Sequence, residues 1–301
     1  MTTDSILIEF DAIVIGGSYA GLSAAMQLAR ARKRVLVIDA GSRRNRFADT
    51  SHGFLGQDGR AAAAIAADGR LQLMAYPSVR WLQGTAATAA AVDGNFAVLL
   101  EAGQTFHGQR VVLATGVVDE MPEVKGLAER WGKSIFHCPY CHGYELDNGR
   151  LGILATGPMS WHQAMMLPNW GHVTLFTNGA LLLEQQQTDA LSVRGVVIEQ
   201  APVTRIVDAA TVELSGGRTV LLDGLFTLCQ THMASPIAGQ LGCAFDEGPF
   251  GPVIRTDAAK ETTVPGVFAC GDAARMAASV AFAVGDGAQA GMSAHQSLVF
   301  R

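Results

Sequence analysis

The sequence lacks several features that would place it in a large class of proteins. It contains no run of about 18 apolar residues, so no segment is predicted to span a bilayer. Only 16% of the residues are charged, and the net charge of −5 argues against nucleic acid or an anionic membrane as the main partner. The segment from Met1 to Phe10 carries acids and no basic stretch, which predicts no secretion signal.

Cysteine is scarce, with five residues in a chain of 301. Three of them stand alone in apolar runs and are predicted to be buried thiols: Cys229, Cys243 and Cys270. Unpaired buried thiols are typical of a reducing compartment, so we expect a cytoplasmic protein. No second CxxC and no HxxxH follows the one cysteine pair, which argues against a zinc site, and no metal is predicted.

The remaining two cysteines lie in the stretch from His137 to Glu145, HCPYCHGYE. Two thiols at this spacing close into a disulfide and reopen, and redox motifs of this kind provide a thiolate near neutral pH. The imidazole of His142 takes up and returns protons in the same range. We therefore predict Cys138, Cys141 and His142 as catalytic residues. Two alternatives are a half zinc site with His137 and His142 as further ligands, and a pair of inert small hydrophobic residues.

The N-terminal region has the pattern of a dinucleotide-binding βαβ unit. An apolar strand, residues 11–15, runs into the glycine turn of residues 16–21, then into a predicted helix (22–32) and a second strand (34–39). Such a turn brings a helix N-terminus to a pyrophosphate, and the acid at the end of the second strand binds a ribose diol. Ser18 replaces the second glycine of the motif. Asp39 favours FAD or NAD over NADP.

A second strand–turn–helix–strand unit, residues 151–177, follows the cysteine pair with a weaker nucleotide signature. Of the turn glycines only Gly157 remains, and Pro158 and Met159 add bulk where a pyrophosphate would approach. The last strand ends at Thr177-Asn178-Gly179, which offers neither an acid for a 2′-hydroxyl nor an arginine for a 2′-phosphate. We therefore expect a structural or substrate-shaping unit rather than a working NAD(P)H site.

The rest of the chain supplies further elements of an α/β protein. Residues 61–67 are predicted to be helical, and residues 79–112 to form an antiparallel meander. Near the C-terminus, an apolar strand delivers Asp272 at its carboxyl end and precedes a helix rich in small residues, 279–298. Ligands of open α/β sheets lie beyond the carboxyl ends of the strands. Asp272 is therefore a candidate for binding a ribityl hydroxyl.

Six landmarks follow one another along the chain in the order that a known family shows: Gly16 to Gly21, Asp39, Ala114 to Gly116, the cysteine pair, Asp223 to Phe226, and Gly271-Asp272. In that order the chain resembles the low-molecular-weight thioredoxin reductase family over nearly its full length. The resemblance implies an α/β fold of two nested Rossmann-like (FAD/NAD(P)-binding, three-layer ββα) domains. It implies FAD bound by residues 1–118 with 245–301, a second domain at 119–244 that carries the redox pair, and a homodimer.

Two departures point to one subgroup of that family. Reductases usually have an aspartate directly after the second cysteine, where this chain has His142, and a glycine-rich NADPH turn, which this chain lacks. Both departures look like the gliotoxin- and holomycin-type dithiol oxidases, which lack a functional NADPH site. The segment 51–56 and the preceding Arg43 and Asn45 are similar to flavin contacts there. The resemblance implies these FAD-binding residues: Gly16, Ser18, Tyr19, Ala20, Asp39, Arg46, His52, Ala86, Ala114, Thr115, Gly116, Gly271, Asp272, and either Val280 or Ala281.

The leading hypothesis is an FAD-dependent thiol–disulfide oxidoreductase that oxidises a dithiol and passes the electrons to oxygen or to another acceptor that is not a nicotinamide. The alternatives are a disulfide reductase driven by NAD(P)H or by a protein donor such as ferredoxin, and a flavin-bound redox sensor without turnover. The expected partner is a small dithiol or disulfide, or a thioredoxin-like protein. Four apolar side chains of one helix either line a substrate pocket or pack in the core: Met159, Trp161, Met165 and Met166.

Overall fold

The computed structural model describes residues 9–301 of the chain. Residues 1–8, which hold most of the segment used for the secretion prediction, lie outside the described residues. The chain forms two compact units. The first comprises residues up to Arg46, then 63–118 and 231–301, and the second comprises 47–62 and 119–230.

The described residues contain 21 strands and seven α-helices. The strands are β1 Phe10–Ile15, β2 Val35–Asp39, β3 Thr50–Ser51, β4 Arg60–Ala61, β5 Val79–Gln83, β6 Ala86–Val92, β7 Asn95–Leu100, β8 Thr105–Leu113, β9 Val117–Glu120, β10 Ile135–Phe136, β11 Arg150–Leu154, β12 His172–Phe176, β13 Val197–Glu199, β14 Val203–Val207, β15 Thr211–Leu214, β16 Thr219–Val220, β17 Gly224–Thr227, β18 Gln230–Met233, β19 Phe245–Gly248, β20 Gly251–Ile254 and β21 Val267–Ala269. The α-helices are α1 Tyr19–Arg30, α2 Ala62–Met74, α3 Pro139–His142, α4 Met159–Met166, α5 Gln185–Val193, α6 Ile237–Gln240 and α7 Val280–Phe300. Short 3-10 helices lie at Arg44–Phe47, Ala128–Arg130, Tyr144–Leu146, Leu167–Asn169 and Gly271–Ala274.

A seven-stranded sheet forms the centre of the first unit. Its order is β5-β2-β1-β8-β7-β6, and β21 also pairs with β8. Strands β5, β2, β1, β8 and β21 are parallel, whereas β6, β7 and β8 form an antiparallel meander. The central strands are buried on both faces, as their near-continuous Val, Ile and Leu content predicts.

Helices α1 and α7 pack against one face of this sheet at very short range. A Cβ at Gly287 would lie 2.1 Å from the Ala20 carbonyl oxygen, and one at Gly291 would lie 2.4 Å from that of Ala24. The small residues of α7 therefore serve close helix packing. Ser279 caps this helix, and its hydroxyl accepts a hydrogen bond from the backbone N–H of Phe282 at 3.0 Å.

The second unit is built on a five-stranded parallel sheet, with strand order β10-β17-β11-β12-β13. A three-stranded antiparallel sheet, β14-β15-β16, and the two-stranded hairpin β3-β4 belong to the same unit. Its largest fully buried side chains include Phe176, Phe226 and Leu151. A short loop or one-turn helix follows each of β10, β11 and β12. The redox stretch therefore follows β10 directly, and the second nucleotide-like turn follows β11.

The structure differs from the predicted elements at three places. Helix α1 begins at Tyr19, three residues before its predicted start. Helix α2 continues to Met74, beyond the predicted end at residue 67. Strand β5 pairs in parallel with β2, so the prediction that residues 79–112 form one antiparallel meander is wrong for β5.

The compact units and the predicted domains also divide the chain differently. Residues 47–62 cluster with the second unit, and residues 231–244 with the first. The assignment of FAD to residues 1–118 and 245–301 remains a prediction. Among residues 9–301, no helix is both long and apolar enough to cross a membrane.

Candidate active site and cofactor-binding residues

The two cysteines of the redox stretch lie at the start of the one-turn helix α3 in the second unit. Cys138 has an extended backbone and precedes Pro139, which occupies the first helical position. Proline suits this position because its fixed φ is helical and its missing N–H would have no partner in the first turn. The turn places the Sγ atoms of Cys138 and Cys141 2.9 Å apart, with the Cys141 thiol donating to Cys138. Both residues are partly exposed.

Aromatic and glycine residues fix the other end of this turn. The N–H of Gly143 donates to the carbonyl of Pro139 at 2.7 Å, and a Cβ at Gly143 would lie 2.8 Å from the Trp170 ring. Trp170 meets the Tyr140 ring edge-on at 5.2 Å between centroids. Tyr140 stands between the two cysteines and is 71% exposed, so an aromatic surface adjoins the thiols.

The His142 ring lies nearly parallel to the ring of Phe136. The two centroids are 4.3 Å apart at an interplanar angle of 13°. Both ring nitrogens are buried and have no hydrogen-bond partner. Burial lowers the pKa of His142, the neighbouring His52 lowers it further, and Glu145 acts in the opposite direction. The lowered pKa of His142 favours its uncharged imidazole, which is the form that accepts a proton.

His52 comes from the β3-β4 hairpin and lies close to the redox stretch in the same unit. Its Nδ1 is 3.2 Å from Glu145 Oε1, and its Nε2 is 3.0 Å from the Thr50 hydroxyl. The rings of His52 and His142 meet edge-on with centroids 6.4 Å apart. Among residues 9–301, no group of three His, Cys, Asp or Glu side chains is arranged to hold a metal ion.

At the turn of the second βαβ unit, groups that could bind a nucleotide form hydrogen bonds within the unit itself. The Thr156 N–H donates to the Ser160 hydroxyl at 3.0 Å, and Pro158 has no N–H to donate. Beyond β12, the side-chain oxygen of Asn178 accepts a hydrogen bond from the Val203 N–H at 2.8 Å. The Thr156 N–H and the Asn178 side-chain oxygen are thus occupied within the unit, and position 158 offers no N–H donor. In helix α4, Trp161 and Met165 pack against the core, which favours helix packing over a pocket for these two.

The glycine turn of the first unit has the close backbone approaches that a dinucleotide site needs. Gly16 has φ +108°, and a Cβ there would lie 2.2 Å from the Ala114 carbonyl oxygen. A Cβ at Gly21 would lie 1.8 Å from the carbonyl oxygen of Gly16. The Asp39 carboxylate accepts hydrogen bonds from the N–H groups of Gly17 and Gly41 at 3.2 and 3.1 Å. The acid is therefore fixed beside the turn.

A cleft of about 390 Å³ opens next to Asp39. Arg43, Arg70 and Trp81 are among the residues that line it. The Nε of Arg43 and the Nε1 of Trp81 are buried without hydrogen-bond partners, and the Arg70 guanidinium lies 4.4 Å from the centroid of the Trp81 ring. Unused donors beside an acid and a glycine turn fit the phosphate and adenosine parts of a bound FAD. The sequence reasoning missed Arg70 and Trp81, because neither belongs to the glycine motif.

The other predicted cofactor residues are spread along the same unit. The Asp272 carboxylate accepts a hydrogen bond from Arg44 at 2.9 Å, and the Tyr19 hydroxyl accepts one from Asn45 at 3.1 Å. Arg46 donates to the carbonyl of Arg43 at 2.9 Å. The remaining residues lie at strand ends, in the first turn of α1 and at the start of α7: Ser18, Ala20, Ala86, Thr115, Gly116, Gly271 and Val280. His52 alone lies in the second unit. FAD contacts of all these residues stay predictions.

Comparison with known proteins places this geometry in a known group. Residues 10–295 match the family described as pyridine nucleotide-disulphide oxidoreductase. Thioredoxin reductase tcpT of Claviceps purpurea is 35% identical over 99% of this chain and 96% of its own length. The crystal structure of the oxidoreductase from Agrobacterium tumefaciens is 52% identical, with a TM-score of 0.95 over 97% of this chain and 99% of that one. The crystal structure of HlmI is 36% identical, with a TM-score of 0.88 over 96% and 92%. The predicted fold class and family resemblance are confirmed.

Proposed function

The chain belongs to the pyridine nucleotide-disulphide oxidoreductase family and is an FAD-dependent oxidoreductase of the thioredoxin reductase-like kind, and from this premise we propose that it oxidises dithiols to disulfides. In this proposal Cys138 and Cys141 are the redox pair, and oxygen is the final electron acceptor. Oxygen is proposed as the acceptor because the chain resembles the gliotoxin- and holomycin-type dithiol oxidases.

One observation carries the choice of an oxidase over a reductase, namely the turn after β11. A nicotinamide dinucleotide needs backbone N–H donors at this turn and a partner for its ribose beyond the next strand. Here the Thr156 N–H is bonded to Ser160, position 158 is proline, and Asn178 is bonded to Val203. This occupancy supports an electron source other than NAD(P)H, and the partly exposed thiols at α3 support a dithiol substrate as that source.

The proposed reaction starts with the Cys138–Cys141 pair as a disulfide. One substrate thiolate attacks the Cys138 sulfur, which forms a mixed disulfide and releases Cys141 as a thiolate. The second substrate thiolate then attacks the substrate sulfur of the mixed disulfide, which closes the product disulfide and releases Cys138. His142 accepts the proton of an incoming thiol and so maintains its nucleophilic form.

FAD, when bound, would supply a two-electron acceptor for the resulting dithiol, and transfer of that electron pair with two protons to dioxygen would give hydrogen peroxide. The Gly16 turn, Asp39, Arg43 and Trp81 would hold its nucleotide part in the first unit. The protein's own contribution is to place two sulfurs within reach of each other and an uncharged base beside them.

An anaerobic titration of the yellow holoprotein tests the proposal. Dithiothreitol should bleach the flavin absorbance, NADPH should leave it unchanged, and air should restore the colour. The Cys138→Ser variant is the matched control, since we expect it to retain FAD and not to be bleached by the dithiol. Prompt bleaching of the parent protein by NADPH, without bleaching by the dithiol, would contradict the oxidase proposal.

A disulfide reductase is the second candidate, because the curated relative tcpT carries the name thioredoxin reductase. Its partner would be a thioredoxin-like protein, and its donor NAD(P)H or a protein such as ferredoxin. The same titration separates the two functions, since only a reductase is reduced by its donor in the absence of thiols. We further propose a cytoplasmic homodimer; sedimentation and cell fractionation test these two points.

A further inference from the structure

The loop between β3 and β4 presents one side chain toward the redox stretch, and contacts fix it on two sides. His52 bonds Glu145 through Nδ1 and Thr50 through Nε2, and its side chain is only 14% exposed. Three glycines of this loop have positive φ: Gly53, Gly56 and Gly59. The N–H of Gly53 donates to Asp58 at 2.7 Å, which closes the loop on itself. The sequence therefore provides a folded loop that holds a histidine in a defined position.

His52 also contacts the ring of His142, which is the proposed base. The two rings meet at an angle of 74°, and the ring of Phe136 stacks on that of His142. Within the described part of the chain, His142 has no hydrogen-bond partner that would fix its charge. The two neighbours whose charges act on His142 are His52 and Glu145, which contact each other at 3.2 Å.

We propose that His52 and Glu145 are positioning residues for His142, and that their charges decide whether its ring is uncharged and available as a base. This inference rests on the proposed function, in which His142 accepts the proton of the substrate thiol. The dithiol chemistry requires such control, because each turnover removes two protons from the substrate and a base that stays protonated stops the next cycle.

The sign of the charge on each neighbour determines the direction of its effect on the pKa of His142. A positive charge at residue 52 disfavours a proton on His142, whereas the carboxylate of Glu145 favours one. Asp58 is the other carboxylate that faces His52, at 3.8 Å from Nδ1, but its side chain is 70% exposed. Tyr140 and Cys141 are the other titratable groups on the same element as His142, and Cys138 precedes it at the N-cap. Phe136 on β10 is uncharged.

Substitutions that fix the charge at residue 52 give a decisive test. His52→Lys keeps a positive charge at residue 52 throughout the range in which His142 titrates, and His52→Asn carries none. Glu145→Gln is then combined with His52→Lys, so that no change in the protonation of residue 52 complicates the result. The His142 titration is followed in the oxidised holoprotein by NMR of labelled histidine, assigned with His142→Asn.

We expect the titration midpoint of His142 to be lowest in His52→Lys/Glu145→Gln, higher in His52→Lys, and highest in His52→Asn. The acid limb of the dithiol oxidation rate should shift in the same order. Asp147→Asn is the matched control, because it removes a carboxylate two residues from Glu145 that does not contact His52. Its His142 midpoint should equal that of the parent protein.

Equal midpoints in all His52 variants, or the reverse order, would overturn the proposal. A merely structural role predicts the same direction of change for every substitution, and circular dichroism identifies variants that unfold. If the His142 midpoints follow the expected order while neither the parent protein nor any variant oxidises dithiols, the proposed function fails. The inferred effect of residues 52 and 145 on the His142 titration then still stands. The two failures are therefore distinguishable.

Discussion

Replacing Gly287 by alanine should destabilise the first unit, although alanine is the better helix former. The substitution adds one methyl group in the middle of α7, where that helix crosses α1. The new Cβ would lie 2.1 Å from the Ala20 carbonyl oxygen and 2.9 Å from Ser23 Cβ. The oxygen belongs to the backbone of α1, so it has no side-chain torsion with which to move away.

The magnitude follows from this distance. Relief to an ordinary contact requires α1 and α7 to separate by about 1 Å, and overpacking of this size costs about 1–3 kcal/mol. The better helix propensity of alanine offsets up to about 1 kcal/mol of that loss. At Gly285, two residues earlier, a Cβ meets nothing within 4 Å. Gly285→Ala should therefore stabilise the protein by about 0.5–1 kcal/mol.

Urea unfolding of the two holoprotein variants, followed by circular dichroism and by flavin release, measures the difference. We expect Gly287→Ala to unfold at lower urea than the parent and Gly285→Ala at higher urea. Flavin release should begin earlier in Gly287→Ala, because Ala20 lies in the first turn of the helix that follows the Gly16 turn. Equal stability of the two variants would refute the close packing of α1 on α7.

Three further outcomes are expected. Cys138→Ser should abolish dithiol turnover while the FAD content per protein, measured by absorbance, stays that of the parent; normal turnover would remove Cys138 from the reaction. His142→Ala should slow dithiol oxidation by on the order of 100-fold, most strongly at acid pH where substrate thiols are protonated, and an unchanged pH–rate profile would contradict its role as base. The pKa of Asp223 is lowered to about 2, chiefly by its hydrogen bonds from Arg150. Its contribution to the free energy of unfolding is therefore present at neutral pH and is lost as the pH falls from about 4 to about 2. Since both side chains are substantially exposed, Asp223→Asn should lose no more than about 1 kcal/mol at pH 7, and denaturant unfolding at pH 7 and pH 2 should show this difference disappear.

Local patterns in the sequence predicted the first βαβ unit well because its signals lie within 30 residues. The apolar runs of β1 and β2 and the glycine turn between them need no distant contact to be recognised. The start of α1 was placed too late because Gly21 was counted in the turn. In the structure Gly21 is helical, and it is glycine because a Cβ would meet the Gly16 carbonyl oxygen.

Pairings between distant segments could not be predicted in the same way. Strand β5 is short and follows a helix, and nothing in residues 79–83 indicates that β2 is its neighbour. The contact of His52 with Glu145 also joins two segments whose separation in sequence is large. An acid three residues after His142 was a visible signal, but its partner depends on where the β3-β4 hairpin lies in the fold.

The pairing of β21 with β8 has a consequence for synthesis of the chain on the ribosome. The five strands of the second sheet have all been synthesised once residue 227 is made, whereas the first sheet lacks β21 until Ala269. Helix α7, which covers α1, comes later still. Since domains fold as units, the inserted sheet is expected to fold first while β8 keeps an open edge. Nascent chains halted before Val267 should therefore hold no flavin, and cofactor loading becomes a check that translation has reached the end of the first unit.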